Sequence, residues 1–327
     1  MMPTSPSNQY SVGNSAWLLK YAKGGRLFDK SVLLLLKFIY LGSRVLLRIV
    51  LGKKRRDRLY VERGINFKDF LYRSIEFLSL DNYVLLEFGV PKYDYKFYSL
   101  ITRKVENFLI HDVHTSMSAH EDDIIECFTP KEGDVVIDIG AAFGFYTIIG
   151  AKRVGTNGKV VAIEALRDSF KMLNRNIKLN QLTNVIPLNY AAYSKETKVK
   201  LYVSDEESGD TILNTVISDR ARKEEKFVEV NANTLDYLLQ SKGIREERVN
   251  WIKIDVEGAE FEVLKGAARI IANSKDIALL IEIHNLRDST NLYRPIIEFL
   301  KLYNFKIEFE KSHDGGEKHI IVRKQQL

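Results

Sequence analysis

Cysteine is nearly absent: Cys127 is the single one in 327 residues. That excludes an intrachain disulfide and a cysteine-rich zinc site. A reducing, cytoplasmic setting is expected. Cys127 lies in an apolar and acidic stretch and is expected as a buried structural thiol. The first residues lack the basic start and cleavage motif of a signal peptide. Residues 1–16 are polar, carry Pro3, Pro6 and Gly13, and read as a disordered tail. No internal repeat is visible, so a solenoid or propeller is excluded. The dinucleotide fingerprint G-x-G-x-x-G is also missing.

What is present is ordinary in bulk. A hydrophobic content of 45% suffices for a sizeable core. The length fits one large domain with an extension, or two domains. The net charge of +6 is compatible with nucleic acid or an anionic membrane, and proves neither, because the excess sits near the N-terminus.

That excess borders an unusual segment. Residues 31–51 are long and very apolar, yet contain Lys37, Arg44 and Arg48 along one helical face, and Lys53 to Arg56 follow directly. Each internal charge costs roughly 2.5–3.5 kcal/mol near a bilayer centre, so a simple span fits poorly. A helix over 31–56 lying in a membrane surface fits, with its basic cluster on headgroups. A helix packed on the protein or on a partner fits as well. Residues 60–130 mix helical stretches with the aromatic run at 93–98, which reads as core or strand. They are expected to help shape an acceptor pocket.

From Pro130 onward strands and helices alternate. Strands are predicted at 134–139, 159–164, 185–189, 250–255 and 277–284. Helices are predicted near 144–154, 167–180, 234–241, 260–272 and 292–302. An insertion at 193–232 reads as a hairpin around a polar loop. Two last runs flank Asp314-Gly315-Gly316, a hairpin signal. The expected fold class is α/β: a doubly wound, mostly parallel, seven-stranded sheet with an antiparallel terminal hairpin and a helical N-terminal extension. The expected organisation is a tail at 1–16, an extension at 17–119 and a catalytic domain at 120–327.

The strand at 134–139 runs into Asp138-x-Gly140-Ala141-x-x-Gly144 and then an apolar helix. Strand, tight turn and helix make a nucleotide cradle, since small residues admit close approach and the helix offers free N–H groups. The next strand stops at Glu164, where a carboxylate would hold a ribose diol. No middle glycine makes room for a pyrophosphate. Asp138 at the mouth disfavours phosphate and suits a ligand with a cationic end. S-adenosylmethionine has a sulfonium, an ammonium and a ribose, and the pattern resembles the donor site of class I methyltransferases.

A second motif runs from Trp251 to Glu260. Asp255 and Glu257 fall at a strand's carboxyl end, where doubly wound sheets bind ligands. They can orient an acceptor hydroxyl, take its proton or hold a metal ion. Mg²⁺ there is an open option, and no metal is expected. Glu260 reads as a favourable acid in a helix's first turn. The following strand ends with Glu282 and His284 on one side. Histidine suits a base at neutral pH, although a strand-end histidine is often a structural hydrogen-bonding group.

These blocks, with Asn176, Asn180, Ala192-Tyr-Ser194, Thr234-Leu-Asp236, Lys253-Ile-Asp255-Val-Glu257-Gly258-Ala-Glu260 and Leu264-Lys-Gly266, together resemble the FkbM family of S-adenosylmethionine-dependent methyltransferases over about residues 120–325. The resemblance implies O-methylation of hydroxyls on sugars, glycans or polyketide-like products. Ala142 stands where members often carry Asn, Ala165 and Leu166 where Pro is frequent, and Lys195 where an acid is frequent. Donor contacts are expected from Gly140, Ala141, Gly144 and Phe145, with Asp138 near the cationic end, Glu164 on the ribose and Ala192 lining the adenine slot. Asp255, Glu257 and His284 are expected to face the acceptor. A lipid-linked glycan would suit a membrane-surface helix at 31–56, on the inner face of the cell membrane. Two other readings stay open: an RNA methyltransferase using the basic region, and a donor-binding module without catalysis. The basic cluster lacks interleaved stacking aromatics, which disfavours nucleic acid.

Overall fold

The computed structural model describes residues 85–90, 95–100, 122–203, 226–284, 292–313 and 317–325. The tail at 1–16, the segment at 31–56 and the polar loop at 204–225 lie outside them. The chain divides into two compact units, Met1–His114 and Thr115–Leu327. In the first, β1 (Leu85–Val90) and β2 (Tyr95–Leu100) pair antiparallel. Residues 95–98 of the aromatic run belong to β2. No helix among the described residues is long and apolar enough to cross a membrane.

The second unit opens with α1 (Asp122–Cys127) and β3 (Val135–Ile139), followed by α2 (Phe145–Val154) and β4 (Lys159–Ile163). Then come α3 (Arg167–Leu179), β5 (Val185–Leu188), β6 (Ala191–Ala192), β7 (Thr197–Val203) and β8 (Lys226–Asn233). Next are α4 (Leu235–Gln240), β9 (Val249–Ile254), α5 (Glu260–Gly266), α6 (Ala268–Asn273) and β10 (Ala278–Ile283). α7 (Tyr293–Lys301), β11 (Phe305–Ser312) and β12 (Lys318–Lys324) finish it.

The main sheet has seven strands in the order β11-β12-β10-β9-β3-β4-β5. The strands from β10 to β5 are parallel, and the β11–β12 hairpin adds an antiparallel edge against β10. β3 is buried along its whole length, as a strand covered on both faces must be. The chain leaves β3 toward β4 on one side and later returns to β9 on the other. In doubly wound sheets such a reversal, here at the carboxyl ends of β3 and β9, is where ligands bind.

Two local expectations are corrected. The helix foreseen over 260–272 is broken at Ala267 (φ −108°, ψ 11°) into α5 and α6. Gly266, the last residue of α5, lies tight against the chain after β6: a Cβ there would lie 2.0 Å from the Tyr193 carbonyl oxygen. Cys127 is only half-buried rather than interior, and burial with the neighbouring Asp123 and Glu126 charges raises its thiol pKa. The insertion does form a hairpin, β7 against β8, but Ala191–Ala192 also pairs parallel with β8, a strand too short for its sequence to announce.

Candidate active site

The turn after β3 is held by backbone from both neighbouring strands. The N–H groups of Gly140 and Ala141 both donate to the Ile163 carbonyl at 3.0 Å. The Asp255 N–H donates to the Ile139 carbonyl at 3.1 Å. Gly140 has φ 72°, and a Cβ on it would lie 1.7 Å from the Asp255 carbonyl oxygen. The need for glycine here therefore comes from the tip of β9 pressing on the turn. Gly144 (φ 94°) starts α2, and its N–H donates to the Ala141 carbonyl at 2.7 Å. Phe145 follows as a half-buried first helical residue. Buried Asn176 on α3 donates from Nδ2 to the Phe143 carbonyl at 2.7 Å, fixing the outer limb of the turn.

Between the glycines Ala142 adopts φ 46°, a left-handed conformation that costs a residue with a Cβ about 1–2 kcal/mol. Asparagine tolerates that region better. Ala142→Asn is expected to raise the stability of this unit by about 1 kcal/mol, read as a higher denaturation midpoint. A lowered midpoint would show that the strain is already relieved by the Ala142 N–H bond to Glu164.

Glu164 stands just past β4 and is buried. Its Oε2 accepts from the Ala142 N–H at 2.8 Å and its Oε1 from the Leu166 N–H at 2.7 Å. Burial raises its pKa to about 7, against the lowering effect of those two N–H groups.

Asp138 is buried beneath the turn rather than open at its mouth. Thr147 Oγ1 donates to its Oδ2, and Lys253 Nζ lies 3.8 Å from its Oδ1. Burial holds its pKa above the ordinary carboxylate value despite Lys253 and Thr147. Lys253, the β9 residue beside Asp138 in register, is itself buried, 3.0 Å from Asp255 Oδ2 and 3.3 Å from the Gly140 carbonyl. Burial works to lower its pKa, but Asp255 and Asp138 outweigh that and leave it raised. Lys253 thus ties the tips of β3 and β9 together.

At the tip of β10, His284 is only 2% exposed. Its Nδ1 lies 2.8 Å from Glu260 Oε1, which also accepts the Gly258 N–H at 2.9 Å. Its Nε2 faces Glu257 Oε2 at 3.4 Å, Glu282 Oε1 at 3.7 Å and Asp255 Oδ1 at 4.0 Å. Burial alone would lower the imidazole pKa, but Glu257, Glu260 and Glu282 carry it well above 6.5. The acids thus favour the protonated ring as their counter-charge, and Nε2 has to give up its proton to act as a base or as a ligand. Glu282 pairs across the sheet with His319, whose Nε2 is 3.2 Å from Glu282 Oε2. Despite its burial, that partner and His284 hold Glu282 at about 2. Glu257 adopts φ 55°, a strained backbone for a residue with a side chain and one that recurs at functional sites.

The structure thus brings Asp255, Glu257 and His284 together, next to Gly140. Ala192 lies in the main apolar core cluster. Glu260 is the first-turn acid of α5, as expected, and is in addition fully buried against His284. Lys253 joins the site without an expected role, although a lone charge inside an apolar strand is itself a sign of a buried partner.

A mostly parallel doubly wound sheet, a glycine turn after its first central strand and an acid ending the next define a nucleotide-binding fold of the kind that S-adenosylmethionine-dependent methyltransferases share. A family model described as the Methyltransferase FkbM domain matches residues 138–307, more than half of the chain. The chain belongs to this FkbM methyltransferase family, and its cofactor is S-adenosylmethionine. It is 29% identical to "Methyltransferase sdnD" of Sordaria araneosa, in a match covering 40% of this chain and 59% of that protein. The chain thus matches about three fifths of that relative's length. Among solved structures it is similar to a putative rRNA methylase of Clostridium thermocellum (14% identity, TM-score 0.41, covering 66% of this chain and 97% of that one). It is also similar to a SAM-dependent methyltransferase of Aquifex aeolicus (14% identity, TM-score 0.39, covering 67% and 97%). The donor set fits the cofactor: each Glu164 oxygen takes one N–H among the described residues, which leaves capacity for a ribose diol.

Proposed function

We propose that this enzyme methylates a hydroxyl group of a sugar, glycan or related metabolite. The observation that carries the reading is the convergence of Asp255, Glu257 and His284 at the tips of β9 and β10, beside the turn that follows β3. When bound, S-adenosylmethionine supplies an electrophilic methyl group on sulfur. The chain's task is to align an acceptor oxygen with it and to receive that oxygen's proton. Gly140, Ala141, Gly144 and Phe145 frame the donor, and Glu164 binds its ribose hydroxyls. Asp138 acts from below through Lys253. Asp255 and Glu257 accept the hydrogen bond of the acceptor hydroxyl, and one of them takes its proton. His284, held by Glu260, balances their charge.

The test is transfer of labelled methyl from S-adenosylmethionine to hydroxyl-bearing glycan and lipid extracts. An alkali-stable methyl ether is the expected product. Label appearing only in RNA, or nowhere, would overturn the reading. The segment at 31–56 motivates a lipid-linked glycan acceptor at the inner face of the cell membrane. Its removal should release the protein from anionic vesicles, and retention on them would remove that motivation.

Donor binding should depend on pH through Glu164. Its pKa near 7 in the free protein exceeds the ordinary 4.5 because burial disfavours the anion. A ribose diol donates to the carboxylate, so binding favours the anion and releases a proton. Affinity is expected to rise with pH up to about 7 and then level, by at most about tenfold per pH unit below that. The sign for folding is opposite: the folded state holds more protons than the unfolded between 4.5 and about 7, so this group's contribution falls as pH rises through that window. Calorimetric titrations in buffers of different ionisation enthalpy check this. Absence of proton release near pH 6 would refute it.

A further inference from the structure

The acids around His284 form a donor set that goes beyond acceptor binding. Donor atoms of Asp255, Glu257 and His284 all lie within 4.8 Å of one another. Ligands about 2.0–2.2 Å from a shared ion stand about 3 Å apart when adjacent and about 4.2 Å apart when opposite. The Nε2–oxygen separations of 3.4 Å to Glu257 and 4.0 Å to Asp255 fall inside that range. They are longer than the ~2.7–2.9 Å of a charge-assisted hydrogen bond, so the imidazole is aimed at these oxygens without closing on them.

The imidazole is also prepared as a ligand from behind. Glu260, 0% exposed, holds Nδ1 at 2.8 Å and is itself fixed by the Gly258 N–H. A buried carboxylate on the far nitrogen keeps the proton on Nδ1, so a metal that binds displaces the Nε2 proton and meets a strengthened donor there. Acids outnumber cations here: Asp255, Glu257, Glu260 and Glu282 surround one imidazole, and Lys253 is shared with Asp138. Glu282 already holds His319 with its other oxygen and flanks the group.

We propose that Asp255, Glu257 and His284 bind a divalent transition-metal cation of the Mn²⁺ type. Two carboxylates with one imidazole suit such an ion better than Mg²⁺, which prefers an all-oxygen shell. Water or acceptor oxygens complete its coordination. Its use as a Lewis acid on the acceptor hydroxyl rests on the O-methylation reading above, whereas the binding site does not.

The test uses the full chain, freed of metal with a chelator and titrated with Mn²⁺, free ion being followed by electron paramagnetic resonance. One equivalent should bind with micromolar affinity, and pulsed spectra should show coupling to an imidazole nitrogen. Glu257→Gln and His284→Gln should weaken binding at least tenfold, and Glu260→Gln, acting only through His284, by about 10- to 100-fold. Glu298→Gln, a change at an exposed helix pair with Arg294, should leave it unaltered. If the His284 variant fails to fold, Glu257→Gln carries the same reading. No binding, or binding without nitrogen coupling that survives both variants, overturns the proposal. A chain that binds Mn²⁺ in this way and methylates no hydroxyl keeps the site and sinks the acceptor reading instead.

Discussion

Replacing Lys253 with methionine is expected to destabilise the α/β unit by about 3–5 kcal/mol, the usual result of removing one partner from a buried ion pair. Methionine matches the aliphatic stem, so little packing is lost. What is lost is the only cation near Asp138 among the described residues, and Asp138 is 1% exposed. The lysine's hydrogen bond to the Gly140 carbonyl goes as well, and with it one link between the tips of β3 and β9. Trp251, 2% exposed on β9, reports unfolding of this unit, and a Trp17→Phe background makes it the sole tryptophan. The loss should shrink as the pH is lowered, because burial holds the Asp138 pKa above the ordinary carboxylate value and a protonated Asp138 needs no counter-charge. Adding Asp138→Asn should restore much of it, since two neutral groups replace the broken pair. A shift under about 1 kcal/mol, or no rescue by the second change, would show that Lys253 does not hold this acid.

The balance at Lys253 explains an order of parts that recurs through the site. Asp138, Lys253 and Asp255 alternate in charge across the tips of β3 and β9. Glu260, His284 and the carboxylates of Glu257 and Glu282 alternate again between α5 and the tips of β9 and β10. Each buried charge therefore has an opposite neighbour, as burial in low dielectric requires. The network is held by strands whose register is fixed over their length by apolar pairs such as Ile281 beside Ile254. A shift of one residue would turn every one of these side chains to the other face.

Much of this was legible in the chain itself, for identifiable reasons. β3 and β9 are short apolar runs, and the alternation with helices admits one kind of sheet. Glu164 could be placed because an acid at the end of the second strand has a fixed relation to the glycine turn. Glu260 was not legible. Its position in the first turn of a helix has a sufficient local explanation, and only the packing of α5 against β10 puts it under His284. His319 escaped for the same reason: it meets Glu282 through the pairing of β12 with β10, across residues far apart in the chain. Asp138 is expected at the mouth of the turn and lies buried beneath it, because a strand's last residues can face the ligand side or the sheet interior and composition does not distinguish them. Its register neighbour Lys253 would have decided the matter, since an apolar strand keeps a lysine only where a buried acid awaits it.

Glu257→Gln should lower the rate of methyl transfer by about 10²–10⁴, the range associated with removing a positioned acid or base. Donor affinity should stay unchanged, because Glu164 and the glycine turn are untouched. The amide keeps the size of the side chain but removes the charge nearest His284 Nε2, at 3.4 Å. Stability should fall only slightly with it. Glu257 adopts φ 55°, so its backbone is strained in either form, and Glu260, Glu282 and Asp255 still face His284 in the variant. This separation is what distinguishes a functional acid from a structural one. A helix cap or a core hydrogen-bonding group would cost stability when neutralised and leave the residual rate per folded molecule intact. The measurement is the rate at saturating donor beside the unfolding midpoint of the same preparation. A large loss of stability with an unchanged rate would place Glu257 among the residues that build the turn, and would leave Asp255 as the sole acid at the acceptor lip.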